Sequence, residues 1–175
     1  MRKTIVFLLI ITFLSISGTT ELSADVDVVT SSAILNYSHP INYQLDPRVI
    51  RLGKYLDSHK SPLASHADSF VEYADKYNLD WRLVPAISGV ESTFGKRIPF
   101  NSYNAYGWAN GDYRFTSWED SIGHVSKSLR EKYYDKGIRN INQMARRYAP
   151  PSSTWGWKVK FFMEKIDPVP VEFNL

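Results

Sequence analysis

The chain is constrained most by apolar residues that recur at helical spacing between residues 46 and 166. Asp46-Pro47 gives the first helix-start signal, because an acidic N-cap followed by proline suits the free backbone N–H groups there. Five stripes follow this spacing: Phe70, Tyr73 and Tyr77; Leu83, Ile87, Val90 and Phe94; Ile122, Val125, Leu129 and Tyr133; Ile141, Met144, Ala145 and Tyr148; Trp155, Val159, Phe162 and Ile166. The pattern predicts five or six helices around one core, and 175 residues suit one domain.

Capping residues and prolines predict where these helices begin and end. The predicted boundaries are a first helix from Asp46 to about His59; a second from Ser61-Pro62 to Tyr77-Asn78-Leu79; a third capped by Asp80, bent by Pro85 and ended by Gly95; a fourth from Ser117 and Asp120 to Gly137; a fifth ended by Pro150-Pro151; and a last from Ser152-Ser153.

One segment departs from the helical pattern. Asn110-Gly111 lies between two aromatic stretches, residues 106–108 and 113–115. An Asn-Gly pair in this setting is typical of a tight β-hairpin turn. We therefore predict an α+β fold that is mainly α, with a small β-hairpin lobe facing the helices across a cleft.

The first residues are typical of a secretory signal. Arg2 and Lys3 precede an uncharged apolar run, residues 4–14, and small and polar residues follow. We expect residues 1–24 to be a signal peptide, cleaved after Ala24 or near Ser17, or else an uncleaved membrane anchor. Residues 25–45 are polar and β-branched and are interpreted as a linker, which leaves residues 46–175 as the folded domain. The protein is expected to be secreted or attached to the cell envelope.

Composition excludes several kinds of chemistry. The chain has no cysteine, so it has no disulfides, thiolate metal sites or cysteine nucleophiles. Its formal net charge of +3 would fall by one with the signal, and this is far from the basic stripe of a nucleic-acid-binding protein. No histidine pair has metal-ligand spacing, and residues 107–111 form a turn instead of a phosphate loop. We expect no cofactor, no metal and no nucleic-acid partner.

Glu91 is the strongest candidate for acid catalysis. On the predicted third helix it lies at the edge of the buried stripe and in the last turn, where burial and the helix dipole both disfavour an anion. A carboxyl that keeps its proton can protonate a glycosidic oxygen. Lys96 and Arg97 would oppose this effect if they fold back. The alternative interpretation is a surface glutamate in an ion pair.

Four segments resemble the lysozyme-like superfamily in the same order, and the last three are similar to one of its families. Residues 77–95 are similar to the core signature of the lysozyme-like superfamily, which includes soluble lytic transglycosylases and bacterial endo-β-N-acetylglucosaminidases. Asn104-Ala105-Tyr106-Gly107-Trp108 resembles the Asn-x-(Phe/Tyr)-Gly segment of the glucosaminidases, and the Gly-Leu-Met-Gln-like segment of the transglycosylases is missing there. Residues 115–122 and 145–150 resemble two further glucosaminidase elements. The match extends over residues 61–166.

The resemblance implies a lysozyme-like fold and a set of site residues. Glu91 would be the catalytic acid, and Tyr148 would lie across the cleft and contact the sugar that is cleaved, unless it only closes the core. Ser92 would orient the acid. The expected substrate-binding residues are Ser92, Asn104, Tyr106, Gly107, Trp108, Asp112 and Trp155. Tyr106 and Trp108 would contact sugar rings, or else pack the hairpin onto a helix.

The second catalytic group is left open. Asp112 is the best-placed carboxylate, although an aspartate after Asn-Gly is also ordinary turn chemistry. Without a second acid, either the 2-acetamido group or the 6-hydroxyl of the substrate would attack the anomeric carbon.

The sequence thus predicts a monomeric peptidoglycan glycoside hydrolase that cleaves β-1,4 bonds of the amino-sugar backbone, most simply an endo-β-N-acetylglucosaminidase. Its partners would be the glycan strands, with membrane contact only through an uncleaved N-terminal segment. The alternatives are a lytic transglycosylase or muramidase on the same scaffold, and a cell-wall glycan-binding protein without turnover.

Overall fold

A computed structural model describes residues 42–168, which belong to one compact unit. The predicted signal and most of the predicted linker lie outside these residues. Six α-helices are found in the described part: α1 Pro47–Ser58, α2 Ala67–Tyr77, α3 Leu83–Ser92, α4 Trp118–Lys132, α5 Ile141–Tyr148 and α6 Trp155–Ile166. Short 3₁₀ helices cover Tyr43–Leu45, Ala64–His66, Trp108–Gly111 and Tyr134–Lys136. No helix within residues 42–168 has both the length and the apolarity needed to cross a membrane.

Helix α3 lies at the centre of the fold. Every residue from Leu83 to Gly89 is buried, so this helix contacts protein on nearly all sides. It packs along α6, while α2 packs on α1 and α4, and α5 packs on α6. Glu91 is the first exposed residue along α3. The helix therefore carries its only acidic side chain to the point where it emerges from the core.

Capping residues place several helices where the sequence predicts them. The Asp46 carboxylate accepts a hydrogen bond from the Arg48 N–H at 2.8 Å and caps α1. The Ser117 hydroxyl accepts from the Asp120 N–H at 3.1 Å and caps α4. Pro85 is in the first turn of α3, where its missing N–H removes no helical hydrogen bond.

The predicted start of the second helix is wrong. Ser61 does not open a helix, and α2 begins only at Ala67. The Ser61 hydroxyl instead donates to the Phe94 carbonyl at 2.8 Å and accepts from the Leu63 N–H at 3.0 Å. A serine that resembles an N-cap is therefore used to hold the segment before α2 against the end of α3.

The predicted end of the third helix is also wrong, by three residues. Helix α3 ends at Ser92, and Thr93, Phe94 and Gly95 all have left-handed backbone, with φ of +57°, +59° and +78°. Positive φ is unfavourable for a β-branched residue such as Thr93, so neighbouring contacts must hold this turn. The turn folds the buried Phe94 ring back onto Gly89.

The predicted β-hairpin lobe is absent, since residues 42–168 contain no β-strand. The local turn itself agrees with the Asn-Gly signal. Asn110 and Gly111 have φ of +56° and +92°, and the Asp112 N–H donates to the Ala109 carbonyl at 3.1 Å. The fold of the described residues is therefore α-helical, and the segment beside the helices is a loop that contains a tight turn.

The flanks of this turn do not pair because a buried side chain takes their hydrogen bonds. The Asn104 amide donates to the carbonyls of Trp108 and Tyr113 at 2.9 and 3.0 Å. Its oxygen accepts from the Trp108 N–H at 2.9 Å. The Asn104 side chain thus takes the place of the backbone hydrogen bonds that would pair two strands.

We predict that Gly89→Ala lowers the free energy of unfolding by about 1–3 kcal/mol, because overpacking in a closed core is destabilising. An alanine Cβ there would lie 2.5 Å from the Phe94 ring, which is only 1% exposed. Urea denaturation measures the change.

Gly53→Ala in α1 is the matched control. Its Cβ would meet Ala67 at an ordinary 3.7 Å. This variant should be stabilised by up to about 1 kcal/mol through helix propensity. Equal effects of the two substitutions would contradict the close contact between Gly89 and Phe94.

Candidate active site

The Glu91 carboxyl is held by a tryptophan from a different helix. Trp155 is the first residue of α6, and its Nε1–H donates to Glu91 Oε1 at 2.6 Å. The Ser152 hydroxyl accepts from the Trp155 backbone N–H at 3.1 Å and fixes the start of that helix. The Trp155 side chain is buried, so the indole is a fixed donor. One carboxyl oxygen of Glu91 therefore has a defined position.

The surroundings of Glu91 favour its neutral form. Burial raises the pKa of this carboxyl, and the Trp155 hydrogen bond and the positive charge of Lys158 only partly oppose the effect. Glu91 nevertheless retains exposed surface. A carboxyl that is desolvated by protein on one side and reachable from solvent on the other can give a proton to a bound molecule.

The second oxygen of Glu91 faces a glycine. An alanine Cβ at Gly107 would lie 3.6 Å from Glu91 Oε2, and Gly107 itself has a φ of +63°. Because Oε1 accepts the indole hydrogen bond, the proton of the neutral acid is expected on Oε2. The absence of a side chain at position 107 leaves room for a reacting atom beside that oxygen.

Ser92 joins the acid-bearing helix to the loop that contains Gly107. Its hydroxyl lies 2.8 Å from the Ala105 carbonyl, to which it donates, and accepts from the Gly95 N–H at 2.9 Å. Ser92 is buried, so it positions the site without contacting a bound ligand. The expectation that it orients the acid stays a prediction.

Tyr148 completes the wall around Glu91. Its ring stacks on Trp155 with centroids 4.7 Å apart and planes 23° from parallel. Its hydroxyl donates to the Tyr106 carbonyl at 3.2 Å. Burial, followed by the nearby charge of Glu91, raises the pKa of Tyr148 well above its ordinary value. This phenol therefore stays protonated and acts as a hydrogen-bond donor.

Three predicted substrate-binding residues have other contacts. The Tyr106 ring is 2% exposed and is part of the core. Trp108 is half-buried, in edge contact with His124 at 4.8 Å and beneath the Lys132 ammonium at 5.1 Å. Asn104 is buried and shapes the loop. The positions of these three residues support the loop on which Gly107 lies.

The candidate second carboxylate does not join this group. Asp112 is exposed at the end of the 3₁₀ helix, and the hydrogen bonds and ion pairs among residues 42–168 do not join it to Glu91. The structure thus brings together five predicted site residues: Glu91, Ser92, Gly107, Tyr148 and Trp155.

The donor role of Trp155 and the electrostatic effect of Lys158 were not predicted. Trp155 was expected to contact substrate, yet it is 4% exposed and contacts the acid. The Ser152 cap signal shows that a helix opens there. Only the packing of that helix on α3 determines which side chain meets Glu91.

No family model matches this chain, and no curated protein matches it.

The raised pKa of Glu91 predicts a pH-dependent gain in stability for Glu91→Gln. The favourable contribution of the neutral carboxyl is present below the ordinary glutamate pKa of about 4.3 and is lost as pH rises through the raised pKa. The glutamine stays neutral throughout. Its advantage over wild type in the free energy of unfolding should grow as pH rises from about 4.3, the ordinary glutamate value, through the raised pKa of Glu91. Urea denaturation at several pH values measures this difference.

Glu72→Gln provides the comparison, because Glu72 is an exposed glutamate on α2. Its stability difference from wild type should change much less with pH. An equally flat difference for Glu91→Gln would show that the Glu91 carboxyl is not desolvated.

Proposed function

We propose that this protein is an exported glycoside hydrolase that cleaves β-1,4 bonds in the amino-sugar backbone of peptidoglycan, as an endo-β-N-acetylglucosaminidase with Glu91 as general acid. The observation that carries the proposal is the Glu91 carboxyl, which has a raised pKa, one oxygen held by Trp155 and the other beside Gly107. The substrate class is suggested by residues 77–95, which resemble the lysozyme-like superfamily, and by three later segments that resemble the glucosaminidases. Export rests on the features of residues 1–24.

The proposed first step is proton transfer from Glu91 Oε2 to the glycosidic oxygen. An alkoxide is a poor leaving group, so protonation lowers the barrier to breaking the C–O bond. The indole of Trp155 then stabilises the carboxylate that remains, because a hydrogen bond to an ionised acceptor is stronger than one to a neutral acceptor. Tyr148 is expected to contact the sugar through the oxygen of its neutral hydroxyl, since the proton of that hydroxyl is donated to the Tyr106 carbonyl.

Attack on the anomeric carbon is assigned to a group of the substrate. Asp112 is exposed, and within residues 42–168 no hydrogen bond holds it beside Glu91, while Tyr148 is too weak an acid to supply a phenolate. A retaining or inverting pair of carboxylates needs a separation of about 5–10 Å. The 2-acetamido group or the 6-hydroxyl of the sugar can instead attack the anomeric carbon, and neither route requires a second carboxylate from the protein.

The central prediction is that Glu91→Gln lowers the release of soluble sugar from purified sacculi by about 10²–10⁴-fold, since the amide cannot donate the required proton. The rate is measured by chromatography of the released fragments. Glu72→Gln, with the same chemical change on an exposed surface, should digest sacculi like wild type.

Three results of this assay have different consequences. Equal digestion by wild type and Glu91→Gln would exclude Glu91 as the acid. Binding of sacculi by both proteins without digestion by either would favour a glycan-binding protein. Mass spectrometry of the products assigns the bond, because reducing N-acetylglucosamine, reducing N-acetylmuramic acid and 1,6-anhydro ends differ in mass or in their response to reduction.

Trp155→Phe tests the hydrogen bond to the acid. The Trp155 donor lowers the pKa of Glu91, so its removal should raise that pKa further. Activity falls at high pH as the acid loses its proton, and the alkaline limb of the pH–rate profile should therefore move to higher pH. Trp118→Phe, the same change at a half-buried tryptophan outside the site, should leave the limb in place. An unchanged limb in Trp155→Phe would contradict control of Glu91 by the indole.

A further inference from the structure

A second concave surface lies between α5 and α6. The cavity has a volume of about 370 Å³, which is within the range of small-molecule sites. Gly156 lines it where the two helices come into close contact, since an alanine Cβ at this position would lie 3.2 Å from the Ala145 Cβ. The cavity is therefore shaped by the packing of the two helices and by the segment that joins them, which contributes Pro150, Ser152 and Ser153 to the lining.

This cavity is on a different side of α6 from Glu91. Trp155 turns towards Glu91, whereas Trp157 lines the cavity. Two positions along an α-helix differ by about 200° in direction, so the two indoles point to nearly opposite sides. A ligand in the cavity would not occupy the position beside Glu91 Oε2.

An exposed aromatic surface forms one wall of the cavity. Trp157 is 66% exposed, although it is the kind of side chain whose burial is most favourable. It stacks on Phe161, with ring centroids 5.6 Å apart and planes 25° from parallel, which holds the indole in place. A fixed and exposed ring face of this kind can stack on the C–H face of a pyranose.

The polar groups that line the cavity are cationic or neutral. Arg146 and Lys160 are lining residues, and within residues 42–168 neither makes an ion pair. Asn142 and Ser153 add neutral groups that can donate hydrogen bonds, and no lining residue is acidic. Two uncompensated cations beside an aromatic ring favour a ligand with both an apolar ring face and a negative charge.

We propose that the cavity between α5 and α6 is a binding site for a sugar that bears a carboxylate. The pyranose stacks on Trp157, and the carboxylate accepts hydrogen bonds from Arg146 and Lys160. The site is separate from Glu91 and does not require turnover there. The choice of test sugar rests on the proposed function, because every second sugar of a peptidoglycan strand carries a lactyl carboxylate.

The test is a titration of the full chain with N-acetylmuramic acid, followed by NMR of the tryptophan indole N–H groups. N-acetylglucosamine, which has the same ring without the lactyl carboxylate, and free lactate, which has the carboxylate without the ring, are the matched probes. We expect N-acetylmuramic acid to shift the Trp157 signal and to bind at least about tenfold more tightly than either probe.

Substitutions locate the binding. Trp157→Ala, and Arg146→Gln combined with Lys160→Gln, should each weaken binding of N-acetylmuramic acid by about tenfold or more. Lys165→Gln removes a charge from the same helix outside the cavity and should bind normally. Glu91→Gln should also bind normally, so loss of digestion and loss of this site are distinguishable. Equal binding of the three probes, an unshifted Trp157 signal or full binding by the cavity variants would overturn the proposal.

Discussion

Two antiparallel helices, α3 and α6, are connected at both ends by hydrogen bonds from buried side chains. At one end the Arg82 guanidinium donates to the Asp167 carbonyl at 2.7 Å, and Arg82 is also paired with Asp80 at 2.5 Å. At the other end Trp155 donates to Glu91. Desolvated polar groups are costly unless they are paired, so these contacts resist sliding of one helix along the other. The position of the candidate acid follows from this fixed alignment.

The two ends of this helix pair serve different purposes. Arg82 and Asp80 are almost fully buried, with side-chain exposures of 3% and 7%, and they satisfy each other. Glu91 has a neutral hydrogen-bond donor as its partner, and the cost of ionising it is only partly offset by that bond and by the charge of Lys158. The helix pair thus buries an ion pair at the end where Arg82 lies. At the other end it holds Glu91, an acid that favours its protonated form.

Sequence patterns predict the helices of this fold because helix signals are local. The cap at Ser117 depends on residues within one turn and is found as predicted. Ser61 has an equally good local signal, but its hydroxyl is bound by a distant carbonyl, that of Phe94. The early end of α3 has the same kind of cause, since the left-handed residues there are held by contacts of the Phe94 ring with Gly89 and Phe162.

The difference between local and long-range contacts also explains which parts of the candidate site can be predicted from the sequence. The prediction that Glu91 and Tyr148 are site residues depends on the resemblance proposed for their neighbours in sequence, and it stays a prediction. The hairpin prediction is wrong because Asn104, several residues before the turn, captures the carbonyls that strand pairing would need. The bond between Trp155 and Glu91 joins residues 64 positions apart, and no local pattern specifies such a contact.

The contact between an indole and a titrating acid gives the protein an internal optical reporter. Tryptophan emission responds to the charge of a hydrogen-bonded carboxyl, and only one of the five tryptophans donates to Glu91. The difference in fluorescence between wild type and Glu91→Gln, followed against pH, isolates the signal of Trp155. The ionisation of the candidate acid can thus be observed in the resting protein, with no substrate and no turnover.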